Sequence, residues 1–174
     1  DDFARALGKA VDLALDRQVD AALFAGDAYR GCDPSPTHQQ VFAASVERLV
    51  AAGVPVVMVT GNHDLPVAFG RATALEIFRT LVGDRVTVIT QPELVRIETA
   101  AGPLQVAGLP WPRKSVLRAS ADGPELSDPA RHRWLQQRLE AKLNELAAQA
   151  EPSLPTVLLA HLAARGMRRI LTEG

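Results

Sequence analysis

The chain has 174 residues, 47% of them apolar and 22% charged, with a formal net charge of −1 and a single cysteine. That composition is globular, is long enough for one domain with a substantial core, and excludes a disordered chain. The near-neutral balance argues against a generally basic nucleic-acid coat. Cys32 alone leaves no disulfide framework, no apolar run approaches the roughly 18 residues of a membrane span, and no secretory signal is visible, so a cytoplasmic location is expected.

In chain order, Phe3 to Arg17 carries Phe3, Leu7, Val11 and Ala14 at helical spacing. Ala21 to Ala25 is a short apolar run, read as a strand. The following "GDAYRGCDPSPTHQQ" is loop-like, with Gly, Asp and two prolines as breakers. A second helix is predicted from Pro36 to just before Gly53, with Phe42, Val46, Leu49 and Val50 inward and Gly53 as its C′ residue. Val54 to Thr60 then reads as a buried strand. Helices alternating with apolar strands that lack period 2 predict an α/β fold with parallel strands. The loops after both strands would leave the carboxyl edge of one sheet, where sites form in such folds.

The middle reads differently. After a helix around Thr73 to Leu81, the runs Val86 to Thr90, Leu94 to Glu98 and Leu104 to Leu109 follow closely, which predicts antiparallel or meander pairing. "LPWPRK" is a stiff loop, because prolines bracket Trp111. Asp128 to Gln149 is a long helix with Leu135, Leu139, Leu143 and Leu146 on one side. "TVLLAH" is predicted to be a last buried strand. The helical pattern is already under way at Asp1, and the final strand should lead onward. A piece of a longer protein is therefore expected, with segments missing before residue 1 and after about residue 162, the whole of 1–174 belonging to one domain.

Three apolar strands end in groups of metal-ligand type. "LFAGD" delivers Asp27, "VMVTGNHD" delivers Asn62 and His63, and "VLLAH" delivers His161. Oxygen and imidazole donors together suit Mn²⁺, Fe²⁺ or Zn²⁺ better than Ca²⁺. Gly26 and Gly61 let the backbone turn tightly and approach a ligand. Taken singly, Gly-Asp after a strand is a common turn or cap, and a lone histidine is commonly a satisfied core residue. The placement of all of them at strand ends is the stronger signal.

These motifs, "GD", "GNHD" and a strand ending in His, resemble the calcineurin-like metallophosphoesterase superfamily. "AGDAYRGCDPSPTHQQVFA", "GNHDLP", "RATALEIF" and "GPLQVAGLPWP" resemble its SbcD-type DNA exonucleases over about residues 1 to 162. The resemblance implies two facing mixed β-sheets flanked by helices, a four-layer sandwich that is incomplete here. It also implies two divalent ions, usually Mn²⁺, with Asp27 bridging both and Asn62 and His161 on the second. His63 would be the catalytic histidine, stabilising the transition state or protonating the leaving oxygen, and Asp64 would orient His63 or hold the loop. Two such cations, about 3.5–4 Å apart, polarise a phosphodiester and activate a water for in-line attack. The implied activity is metal-dependent cleavage of DNA phosphodiester bonds, as exonuclease or endonuclease, in repair and recombination. The implied partners are DNA and a coiled-coil ATPase of the SMC type, and a homodimer is admitted.

Two motifs of that family are absent, an opening Asp-x-His and a closing Gly-His-x-His. The chain as it stands is therefore expected to bind metal weakly and to cleave little, although the full-length protein would be a nuclease. Two rivals remain: a phosphodiesterase or phosphatase for nucleotides or small phosphoesters, and a non-catalytic module that keeps the fold to bind a partner. Arg30 and His38, after Asp27, are weaker candidates for phosphate contact. So are the basic clusters Arg113, Lys114, Arg118 and Arg165, Arg168, Arg169, with a solvated surface as the bland reading.

Overall fold

The computed structural model describes residues 2–66, 71–81, 83–112 and 129–162. Helix α1 (Asp2–Asp16) leads to strand β1 (Ala22–Phe24), helix α2 (Pro36–Ala51) and strand β2 (Val56–Val59). A short helix α3 (Ile77–Leu81) and a 3₁₀ turn precede strand β3 (Val86–Ile89). Strands β4 (Glu93–Thr99) and β5 (Gly102–Leu109) form a hairpin, and helix α4 (Pro129–Gln149) leads to β6 (Thr156–Ala160).

Two three-stranded sheets result, ordered β1-β2-β3 and β4-β5-β6. In the first, β1 pairs with β2 and β2 with β3, all parallel. In the second, β4 and β5 are antiparallel while β6 runs parallel to β5, with Leu109 opposite Ala160. The α/β architecture with two sheets and flanking helices is the expected one.

The sequence explains the layers. Val54 to Thr60 are all buried, as the unbroken apolar run requires. Period-2 alternation splits this run between two cores. Val56 and Met58 pack among Phe42, Val46 and Leu49 of α2 and Val11 of α1. Val57 and Val59 face the other way, joining Ile89, Ile97, Val106 and Leu159 between the sheets. Gly108 makes that inter-sheet packing close, because a Cβ there would overlap the Ile89 side chain. On the helix side, Phe42 takes the edges of Phe24, Tyr29 and Phe78 at 5.1, 5.5 and 5.6 Å between centroids. Ser35 caps α2 by accepting the His38 N–H, and Pro36 fits the first turn, where no N–H is needed.

Several expectations need correction. Strand β3 does not belong to a meander; it lies parallel beside β2, because the chain from Thr60 to Arg85 is long enough to cross over through α3. The α3 helix starts at Ile77, since Thr73 and Glu76 close a turn of their own: Thr73 N–H donates to Glu76 Oε2 at 2.6 Å, and Glu76 N–H to Thr73 O at 3.1 Å. Strand β6 is not buried. Thr156, Val157 and Leu158 are exposed, because β6 is the edge of its sheet among the described residues. Phe3 is likewise exposed, leaving Val11 as the buried residue of α1, with Leu7 and Ala14 packed beside it.

Candidate metal centre

The site forms where β1, β2 and β6 end. The chain leaves β1 through two residues with positive φ, Gly26 at 88° and Asp27 at 56°. Glycine enters the left-handed region without penalty, but aspartate there carries strain of about 1–3 kcal/mol. The strain is held in place by Asp64, which is buried. Its Oδ2 accepts the N–H groups of Asp27 at 2.8 Å and Gly61 at 2.7 Å, and its Oδ1 accepts that of Ala28 at 3.1 Å. Burial raises the Asp64 pKa above the usual carboxylate value; the Gly61 and Asp27 N–H groups oppose this, the Asp27 charge reinforces it, and the Ala28 N–H opposes it again. Asp64 thus clamps both strand-end loops, and among the described residues it makes no contact that would orient the His63 ring. Of the two roles expected for it, holding the loop is the one present.

The clamped loops approach closely. A Cβ on Gly26 would lie 2.6 Å from Gly61 N and 2.7 Å from His161 Nδ1. A Cβ on Gly61 would overlap the Asp27 carboxylate and lie 2.5 Å from its backbone N. Both glycines are therefore required for the contact itself.

Asp27 Oδ1 accepts the His63 N–H at 2.9 Å, which leaves Oδ2 directed at His161 Nε2, 3.4 Å away. Asn62 Oδ1 lies 3.1 Å from the same Nε2. His161 Nδ1 sits 2.6 Å from the Ala25 carbonyl oxygen. A carbonyl only accepts, so Nδ1 carries a proton; Nε2 donates to Asp27 and Asn62 when the ring is an imidazolium and presents its lone pair when the ring is neutral. Three acceptors, from an imidazole, a carboxylate and an amide, then face one another. A second proton on the imidazole or a cation among the three atoms satisfies that arrangement, and the donor set suits a borderline divalent ion. Among the described residues no cluster of three or more His, Cys, Asp or Glu could hold a metal; the converging set needs the Asn62 amide.

The donors come from both sheets. Asp27 and Asn62 follow strands of the first sheet, but His161 follows β6 of the second. The donors meet across two sheet edges and not along one. The His63 ring is exposed and free of partners among the described residues, next to the donors but outside their set. Arg30 and His38 are exposed, in the loop after Asp27 and the first turn of α2. Arg113, Lys114, Arg118, Arg165, Arg168 and Arg169 lie outside the described residues.

Two neighbours escape a reading of the sequence alone. The Ala25 carbonyl fixes the imidazole through backbone, which no side-chain pattern announces. Trp111 meets His161 edge-to-face, with centroids 6.0 Å apart. The parallel register of β5 and β6 is what brings them together, and no local pattern announces that pairing.

Tyr29, beneath this loop, is pushed up to about 12 by burial and then by the Asp64 charge. It is the chain's single tyrosine. Tyrosinate absorbance in metal-free protein should therefore give a midpoint near 12 folded, against about 10 in denaturant. A folded pKa above the unfolded one means this contribution is full below about pH 10 and disappears as pH rises through about 12. A folded midpoint near 10 would show that the ring is open to solvent.

The Calcineurin-like phosphoesterase model matches residues 1–169. The chain is similar to the SbcD component of the nuclease SbcCD of Rhodobacter capsulatus, 29% identical over 94% of this chain and 44% of the relative. It is also similar to the same component in Bacillus subtilis, 29% identical over 76% of this chain and 33% of the relative. A shorter stretch, 42% of the chain, is 32% identical to 19% of "DNA double-strand break repair protein Mre11" of Thermoplasma acidophilum. The chain spans less than half the length of these relatives. A family match of that extent, over a fold whose strand ends meet in this way, makes the chain a member of the calcineurin-like phosphoesterase family.

Proposed function

We propose that this chain is the core of a metal-dependent DNA nuclease that cleaves phosphodiester bonds in double-strand break repair and recombination. The convergence of Asp27 Oδ2, Asn62 Oδ1 and His161 Nε2 supports the reading, because it offers a carboxylate, an amide and an imidazole to one cation. The names of the relatives, a nuclease component and a double-strand break repair protein, point the chemistry to DNA. The resemblance of its motifs to the SbcD-type exonucleases adds a partner, an ATPase of the coiled-coil SMC type.

Asp27, Asn62 and His161 would hold a divalent ion, with Mn²⁺ the proposed species, and Asp27 would share its carboxylate with a second. When bound, such ions supply Lewis-acid polarisation of the phosphoryl oxygen and a water of lowered pKa. The chain's own residues do the rest. Ala25 O accepts the His161 Nδ1 proton, Asp64 holds the Asp27 and Asn62 loops, and the exposed His63 imidazole would stand beside the reacting phosphate. A positioned imidazole can give its proton to the departing oxygen.

The test is substrate choice by the full-length protein supplied with Mn²⁺. Degradation of linear duplex DNA, much faster than hydrolysis of nucleotides or simple phosphoesters, is expected. Turnover of the small esters with DNA left intact would move the activity to the phosphodiesterase rival. Absence of both turnover and metal binding would reduce the fold to a binding module.

A further inference from the structure

Trp111 is partly exposed and lies against His161, 6.0 Å away between ring centroids. Its backbone is fixed on all sides. The Trp111 N–H donates to Thr60 O at 2.8 Å, tying it to the end of β2. Pro110 and Pro112 restrict the chain before and after it. This rigidity is not needed to hold His161. The His161 N–H already donates to Leu109 O at 3.0 Å, and its Nδ1 is bonded to Ala25 O. The indole is thus a flat, largely apolar ring on a restrained backbone, partly exposed beside the Asp27, Asn62 and His161 cluster.

We propose that Trp111 is a substrate-contacting residue that stacks on a nucleobase next to the phosphodiester at the Asp27, Asn62 and His161 cluster. The inference rests on the nuclease reading for its substrate class. Every base offers a π-face, so such a contact favours nucleic acid over simple phosphoesters without selecting sequence. It would also favour frayed or single-stranded ends, where a base is free to leave its neighbours.

The test uses full-length protein with Trp111→Ala, Trp111→Leu and Trp111→Phe. The substrates are oligothymidylate and an abasic oligomer of equal length. Loss of stacking should raise KM for oligothymidylate about 5- to 150-fold in the Ala and Leu variants, with kcat little changed and Phe close to wild type. The abasic oligomer should show no difference among the proteins. An equal loss on both substrates, with weakened Mn²⁺ binding, would overturn the proposal and make Trp111 a support for His161. Binding of labelled oligothymidylate in EDTA separates this from the parent reading. If wild type cleaves neither substrate, the nuclease reading fails, yet weaker oligothymidylate binding by the Ala variant still supports stacking. Unchanged binding in EDTA overturns it.

Discussion

Asp64→Ala should lower the free energy of unfolding by about 3–5 kcal/mol, one of the larger single-residue effects available to this chain. The carboxylate is buried and accepts three backbone N–H groups, from Gly61, Asp27 and Ala28. Truncation leaves all three donors without a partner, each at about 1–3 kcal/mol. Part of that loss is offset, because an already costly buried carboxylate disappears as well. The left-handed Asp27 also loses its restraint and should relax toward ordinary backbone. Asp64→Asn keeps one acceptor oxygen and should lose about half as much. Urea unfolding checks both, with the slope unchanged and the midpoint shifted. A shift worth under about 1 kcal/mol in the alanine variant would mean that the loops are held by something else.

His63→Ala should lower DNA cleavage by the full-length protein about 10²- to 10⁴-fold, the range for removal of a positioned acid or base. Mn²⁺ affinity should not change. The reason is geometric: the His63 backbone N–H bonds to Asp27 Oδ1, but its ring is outside the set of converging atoms. His161→Ala is the informative contrast, since it removes one of those atoms and should diminish metal binding and cleavage together. Paired turnover and calorimetric measurements separate the two residues. Near-normal turnover in His63→Ala rules out its role, and a loss of metal there would place it among the ligands.

Much of this is legible in the letters alone. The run Val54 to Thr60 announces its own burial, and Phe42, Val46 and Leu49 announce the inner face of α2. Asp27, Asn62 and His161 are legible as a group because each follows an apolar strand. What the letters do not carry is which strands share a sheet. Strand pairing depends on contacts remote in sequence, so β3 has neighbours other than those expected and His161 follows a strand of the other sheet. The same gap hides Trp111. Its proximity to His161 follows from the β5–β6 register and from nothing in "LPWP" itself. The expected burial of β6 fails because composition records an apolar side chain but not whether a neighbouring strand covers it. The Asp64 clamp is hidden for a further reason: its three partners are backbone groups, which every residue possesses.

The division of donors between two sheets has a mechanical meaning. An ion held as proposed by Asp27, Asn62 and His161 would be a rivet through the sandwich, and its binding energy would also be adhesion between the layers. At a hundred times its dissociation constant, a ligand that binds only the folded state adds about 2.7 kcal/mol of stability. The coupling is reciprocal. The seat of the Ile89 side chain over Gly108 is aliphatic on the Ile89 side, and it sets how closely one layer lies against the other. A side chain added at Gly108 would wedge the layers and pull His161 away from Asn62 and Asp27. On the proposed assignment, ion affinity would therefore be a gauge of how well two hydrophobic faces fit.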